Sequence, residues 1–258
     1  MSTQLLLDPD WIVPDWPAPP GVRALCTTRA GGVSSGPYAS LNLGEHVGDV
    51  PADVAANRQR LADATGAHPV FLTQVHGTDL AVLDAGTADG TKADAACTAH
   101  AGIACTVMVA DCLPVLFTDM QGRRVAAAHA GWRGLAGGVL ARAVQSFDDD
   151  QGRHDELMAW LGPCIGPEVF EVGAEVKAEF EAADGEAGHY FKLAGAPGKW
   201  LADLPGLARR RLALLGVRQV HGNDGSRAWC TVANPSRFFS YRRERVGGRF
   251  AALVWREG

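Results

Sequence analysis

Residues 106–134, TVMVADCLPVLFTDMQGRRVAAAHAGWRG, constrain the fold more than any other part of the chain. Apolar, β-branched runs at 106–110 and 113–117, the polar turn Asp119-Met120-Gln121-Gly122 and a further apolar run at 125–128 together read as a hairpin. With Met120 and Gln121 at the centre of the turn, Cys112 and His129 become cross-strand partners, their Cβ atoms about 4.5–5.5 Å apart. A register shift of two residues would still keep both on one face. Beyond His129, Leu135, Val139, Leu140 and Val144 recur at helical spacing as far as Phe147, so the histidine stands where a strand passes into a helix. Such edges are where α/β proteins place ligands. A thiol opposite an imidazole there suits a metal site or a cysteine nucleophile with its base, although buried Cys and His that merely pack would leave the same trace.

The rest of the chain supplies candidate elements around this centre. Pro51, Val54 and Leu61 followed by Gly66 describe a helix whose Asn57 and Arg58 read as solvated. A strand at 69–75 would put Val70, Leu72, Gln74 and His76 on one face, which makes His76 a third candidate ligand. Further strands are expected at 24–27, 80–83, 157–161, 217–220 and the C-terminus. Pro167 is expected to open a helix carrying Val169, Val172, Val176 and Phe180, and Asp203 to cap one ended by Gly216. Residues 183–200 read as an exposed excursion, and Asp148, Asp149 and Asp150 as a solvated loop. The polar loop TTRAGGVSSGPYASLNLGEHVGD is long enough to suggest a substrate loop. Near the C-terminus, Arg237, Arg242, Arg243, Arg245 and Arg249 interleave with Phe238, Phe239 and Tyr241, a cluster suited to a phosphate or an aromatic ring.

Composition narrows the function classes. A net charge of −5 with both signs interspersed gives no field for nucleic acid or an anionic membrane, so a small-molecule or protein partner is expected. The six cysteines show no CxxC spacing, which disfavours a disulfide framework or a zinc knuckle and fits a reducing cytoplasm. The start MSTQLLLDPDW lacks the features of a signal peptide, and the longest apolar run is too short to span a bilayer. With 258 residues, 47% of them hydrophobic, the whole chain 1–258 is read as one domain.

Two imidazoles and a thiolate, from His76, Cys112 and His129, are a ligand set zinc accepts, and three protein ligands leave a fourth position open, as in catalytic sites. The blocks TTRAGGVSSGPYASLNLGEHVGD, Asn57-Arg58, TQVHG, ADCLPV, AAAHAGWRG, GPCIGPEVFEVG and FFSYRRE, in this order, cover the chain nearly end to end. In them the sequence resembles the laccase-domain or polyphenol-oxidase-like family associated with purine nucleoside phosphorylase activity.

The resemblance implies that His76, Cys112 and His129 bind zinc and take part in catalysis. It implies an α+β (mixed α/β) fold, with mixed sheets flanked by helices, related to cysteine hydrolases. The activities implied are phosphorolysis of adenosine, inosine and methylthioadenosine, deamination of adenosine, oxidation of phenols, and the editing of peptidoglycan precursors. The eight histidines contain no H-x-H pair, so copper is less expected than zinc and laccase chemistry in the usual sense is disfavoured. Deamination suits an open zinc site, yet the usual H-x-E and P-C-x-x-C signature is missing. Phosphorolysis needs an anion pocket, for which Arg29, Arg58, Arg133 and the pair Arg242 and Arg243 are candidates. Gln74, Asn42 and Tyr241 are candidates to hydrogen-bond or stack on the nucleoside. Two further readings stand beside the zinc enzyme: a metal-free hydrolase with Cys112 as nucleophile and His129 as base, acting on an amide such as a cell-wall precursor, and a non-catalytic nucleoside binder.

Overall fold

Strands that are apolar on both faces determine the architecture. The computed structural model describes residues 7–148 and 156–258. It contains the strands β1 Val22–Cys26, β2 His68–Phe71, β3 Leu80–Val82, β4 Ala95–Thr98, β5 Ile103–Val109, β6 Leu113–Asp119, β7 Val125–Ala130, β8 Leu157–Leu161, β9 Glu171–Gly173, β10 Phe191–Leu193, β11 Lys199–Ala202, β12 Gln219–Gly222 and β13 Phe250–Arg256. The α-helices are α1 Pro51–Thr65, α2 Trp132–Gly137, α3 Val139–Gln145, α4 Ala174–Ala183, α5 Leu204–Leu214 and α6 Tyr241–Glu244. The fold is thus mixed α+β. A four-stranded sheet runs β1-β13-β5-β2, a six-stranded sheet β12-β8-β6-β7-β4-β3, and a small sheet β10-β11-β9; the two larger ones each mix parallel and antiparallel pairs.

Alternation along the strands shows how the layers stack. On β13, Phe250, Ala252 and Val254 join Cys105, Val107 and Val109 of β5 and Leu116, Val125 and Ala127 of the larger sheet in one cluster, which is the core between the two sheets. The opposite face of β13, with Ala251, Leu253 and Trp255, packs under Leu41, Leu43 and Leu61 of the N-terminal loop and α1. On the far side of the large sheet, Val115, Phe117, Ala126 and Ala128 meet Leu140, Val144, Val176, Phe180, Leu207 and Leu212 of the helices. Strands buried on both faces need continuous apolar sequence, and this is why β5, β6 and β7 have it. Among the described residues, no helix is long and apolar enough to cross a membrane, and all six cysteines are free.

Several expectations are corrected here. Residues 106–109 belong to β5 in the four-stranded sheet, so only β6 and β7 form the hairpin. Their register pairs Pro114 with His129 and Leu113 with Ala130, placing Cys112 just before the ladder. The cause is a longer connection: the Asp119 carboxylate accepts from the backbone N–H groups of Gln121 and Arg123 and holds residues 119–124 in a wide turn. The helix expected through Phe147 breaks at Gly138, whose φ of 100° ends α2 and begins α3. β2 ends at Phe71, short of Gln74 and His76. No helix starts at Pro167; residues 171–173 pair with β11, and α4 begins at Ala174. Residues 183–200, read as an exposed excursion, bury Ala187 and Phe191 and supply β10. Asp203 caps α5 as expected, accepting from the Gly206 N–H. The reading of Asp149 and Asp150 lies outside the described residues.

Asn57, read as solvated, is fully buried. Its Oδ1 accepts from Val33 N at 2.9 Å, and its Nδ2 donates to Ser34 Oγ at 2.9 Å, Ser40 O at 3.2 Å and Asn42 O at 2.9 Å. One side chain of α1 thereby satisfies the polar groups of the long loop that the core would otherwise strand. Asn57→Ala leaves several of them buried and unpaired, and should lower unfolding free energy by about 2–4 kcal/mol in urea titrations. A loss well under about 1 kcal/mol would show that the loop is held by something else.

Candidate metal centre and cavity

Both sheets contribute to one site at the end of the interface between them. His129 is on β7 beside Val125 and Ala127, on the face turned to the four-stranded sheet. Cys112 sits in the crossing from β5 to β6, next to Asp111, whose φ is 98°. His76 lies in the turn after β2 with φ 61°, a left-handed conformation uncommon for a residue with a side chain. One donor atom from each of His76, Cys112 and His129 lies within 4.8 Å of the other two, a group able to hold a metal ion. Cys112 Sγ is 3.6 Å from His76 Nε2, and the two imidazoles meet edge to face with centroids 4.8 Å apart.

Asp94, immediately before β4, organises both histidines. Its buried carboxylate accepts from the backbone N–H groups of Val75 at 3.1 Å, His76 at 2.9 Å and Gly77 at 2.7 Å, which fixes the unusual turn. The same carboxylate lies 2.8 Å from His129 Nδ1, so that nitrogen carries the proton and Nε2 is left facing the site. The Asp94 carbonyl also accepts from the His129 N–H at 2.7 Å. Burial pushes the Asp94 carboxyl up, but His129 and the backbone donors outweigh it and hold it below the usual carboxylate range.

Charge in the site is coupled. Burial pushes the Cys112 thiol up, yet the His129 charge and hydrogen bonds from both histidines outweigh it and bring it down to about 6. Burial pushes His129 down, and the Cys112 thiolate and Asp94 overcome this to raise it to about 9. Without a metal, the pair therefore favours a thiolate beside an imidazolium, and a metal would take the place of the proton on Nε2. Glycine at 131 is a packing requirement. A Cβ there would lie 2.8 Å from His76 Cδ2 and 2.9 Å from Cys112 Sγ.

The three donors open into a cavity of about 620 Å³. Arg58, Gln74 and Tyr241 line it, as do Arg242, Phe170, Ile165, Asp111, His46 and Arg249. Arg29, Asn42 and Arg133 are not among the lining residues. The Arg29 guanidinium donates to the Ala39 and Pro235 carbonyls and pairs with Glu244, and Asn42 ties the loop to Gly44, Asp49 and Arg249, so both hold backbone. Arg133 stacks on Trp132. Arg243 is likewise committed, to the carbonyls of Thr231, Val232 and Phe238. Gln74 reaches the cavity but satisfies the Met108 backbone through both ends of its amide.

Comparison with known proteins places the chain in a family. The sequence profile of the family described as multi-copper polyphenol oxidoreductase laccase fits residues 23–257. The chain belongs to this family. It is 52% identical over 245 residues to the protein named purine nucleoside phosphorylase PA4543 of Pseudomonas aeruginosa, covering 95% of this chain and 98% of that one. It is 49% identical over 246 residues to purine nucleoside phosphorylase YfiH of Escherichia coli, with coverage of 95% and 98%. The crystal structure of Neisseria meningitidis protein NMB0706 superposes with a TM-score of 0.89 at 46% identity, covering 96% of this chain and all of that one.

Within this laccase-type family member, sequence reasoning missed Asp94, Asp111 and His46 altogether and left Arg249 unsingled among five arginines. Only Asp94 carried a usable signal: an acidic residue leading directly into the strand Ala95–Thr98, buried at every position, must find donors. Asp94→Asn removes acceptor capacity from the His76 turn and the proton-fixing partner of His129. Metal affinity should fall about 10- to 100-fold in a chelator competition, whereas an unchanged affinity would show that Asp94 does not orient the ligands.

Proposed function

We propose that this protein is a zinc-dependent purine nucleoside phosphorylase. Its substrates are adenosine, inosine and methylthioadenosine together with inorganic phosphate, and hydrolytic deamination of adenosine is a second reaction of the same cavity. The observation that carries this reading is the convergence of His76, Cys112 and His129 on a cavity of about 620 Å³, within the range that takes a small-molecule ligand. The names of the relatives support it, because both the Pseudomonas and Escherichia proteins are called purine nucleoside phosphorylases. The whole chain is read as the one domain that performs it.

The donor set fits zinc: two imidazole nitrogens and a sulfur already biased to thiolate, with the Nδ1 of His129 fixed by a carboxylate behind it. When bound, zinc supplies a Lewis acid at the floor of the cavity. Among the described residues this is the one group of three or more such donors, whereas a multicopper oxidase needs several. Phenol oxidation is therefore the weaker reading of the family description.

In phosphorolysis a phosphate oxygen bonds to ribose C1′ while the bond from C1′ to the purine N9 breaks. The bond electrons stay with the purine, which takes up a proton, and the products are the free base and the sugar 1-phosphate, ribose 1-phosphate from adenosine or inosine and its 5-methylthio analogue from methylthioadenosine. The chain's own contribution is positioning. Phe170, Ile165 and the exposed ring of Tyr241 form apolar walls against which a purine can lie. Asp111 fixes one rim: its carboxylate accepts from Thr231 Oγ1 and Arg242 N, both at 2.6 Å, tying the segment that bears Cys112 to the one that bears Tyr241.

One observation favours a second reading. Cys112, His129 and Asp94 also stand in the order of a nucleophile, a base and its orienting carboxylate, the arrangement a cysteine hydrolase uses. Metal content separates the two. Protein purified without added chelator should hold about one zinc per chain, and adenine should form from adenosine only with phosphate present. Cys112→Ala should lose both. A metal-free wild type that leaves nucleosides intact but cleaves an amide would establish the hydrolase instead.

A further inference from the structure

Resting on the phosphorylase reading, the cavity raises the question of where an anion would sit. Of the cavity arginines, Arg58 pairs with Glu45 and Asp89, and Arg242 is exposed and gives its Nη2 to the Glu171 carbonyl, whereas Arg249 is half-buried and has no carboxylate within ion-pair distance among the described residues. Its Nη1 donates to the carbonyls of Gly247 at 3.2 Å and Gly248 at 3.0 Å, and Nε and Nη2 have no protein partner there. A guanidinium pinned along one edge with the other edge open to a cavity is prepared for bidentate capture of an oxyanion. Burial depresses its pKa, partly offset by the Cys112 sulfur, Asp111 and Tyr241.

The surroundings of Arg249 form a single unit with two other nitrogen groups. Its N–H donates to Asn42 Oδ1 at 2.9 Å and its carbonyl accepts from Leu43 N at 3.0 Å. A Cβ on Gly44 would fall 2.9 Å from the Arg249 Cγ, so glycine at 44 lets the arginine stem lie against the loop. The Leu43 carbonyl in turn accepts from Arg58 Nε at 3.0 Å, and the Arg58 guanidinium stacks on Phe71 at 4.0 Å. His46 lines the same cavity as the two arginines. Burial, Arg249 and Arg58 all push its pKa down, and no hydrogen bond to its ring is present among the described residues.

We propose that Arg249, His46 and Arg58 form the inorganic phosphate subsite of the cavity, with the open edge of Arg249 as its principal contact. Arg249 binds two phosphate oxygens through Nε and Nη2. His46 gives a ring N–H to a third oxygen. Arg58, already neutralised in part by Glu45 and Asp89, adds long-range attraction. The loop that carries His46 therefore reads the nucleophile rather than the nucleoside.

Binding measured directly tests this without depending on turnover. Inorganic phosphate is titrated calorimetrically into the full-length, metal-loaded protein, and inosine into the same samples. Arg249→Gln keeps both main-chain bonds to Asn42 and Leu43, and should weaken phosphate about tenfold or more while inosine affinity stays within about twofold. His46→Gln, altered on the exposed side of the cavity, should weaken phosphate severalfold. Arg123→Gln, at the distant wide turn, should do nothing, which controls for net charge. Unchanged phosphate affinity in Arg249→Gln, or a loss of inosine affinity instead, overturns the subsite. Phosphate bound through Arg249 by a protein that cleaves no nucleoside would uphold the subsite and sink the phosphorylase. Phosphorolysis with an unaltered phosphate KM in Arg249→Gln would do the reverse.

Discussion

The Asp94 carboxylate is the interaction on which the candidate metal centre depends. It accepts from three successive backbone N–H groups and from an imidazole, while fully buried. A buried carboxylate without partners would be neutralised or excluded; one that receives several charge-assisted hydrogen bonds, each worth about 1.5–3 kcal/mol, stays ionised and holds its donors in place. Because those donors belong to the turn of His76 and to the ring of His129, one group fixes two of three ligand positions. The third, Cys112, is fixed differently, through the backbone of Asp111 and the absence of a side chain at Gly131.

These anchors come from different layers. His76 follows a strand of the four-stranded sheet, His129 ends a strand of the six-stranded sheet, and Cys112 lies on the segment that crosses from one to the other. The donor cluster is consequently a product of sheet packing and not of any local motif. Residues such as Val107, Leu116, Ala127 and Val254 that fill the space between the sheets set the separation of the ligands as well as the stability of the fold. Alanine at 126, 127 and 128 keeps β7 slim enough to sit at the centre of that stack, and a larger residue there would have to move a ligand-bearing strand.

The parts of this arrangement legible in the sequence were those with local period or composition. The hairpin of β6 and β7, α1 with its Gly66 end, the strand at 157–161 and the Asp203 cap all follow from patterning and turn chemistry over short spans. His76, Cys112 and His129 were legible as candidate metal donors by residue type and by family resemblance, and the fold brings them together. Their assembly was not legible, since His76 reaches the site from a turn with positive φ rather than from the strand face that alternation suggested. The register of Cys112 was missed for a comparable reason: a side chain, Asp119, lengthens the turn. Arginines were the least legible. Arg29 and Arg243 serve carbonyls, Arg249 faces the cavity, and nothing in their local sequence distinguishes these fates.

Electrostatic balance gives the cavity its direction. At one end the thiolate of Cys112 lies between two imidazoles, one of them backed by Asp94. Along the loop side, Arg249, Arg58 and His46 line the cavity together, and burial and then the two guanidinium charges push the imidazole pKa down. The Arg249 charge has no ion-pair partner among the described residues and is supported from a distance by the Cys112 sulfur, Asp111 and Tyr241. An anion entering the cavity then gains at Arg249 what it cannot gain at the apolar wall of Phe170 and Ile165. A ligand with one anionic and one flat apolar component satisfies both halves at once, and a phosphate placed beside a purine nucleoside has that composition. An uncharged amide substrate would leave the cationic half unanswered, which is the physical reason the phosphorylase reading accounts for more of this cavity than the hydrolase does.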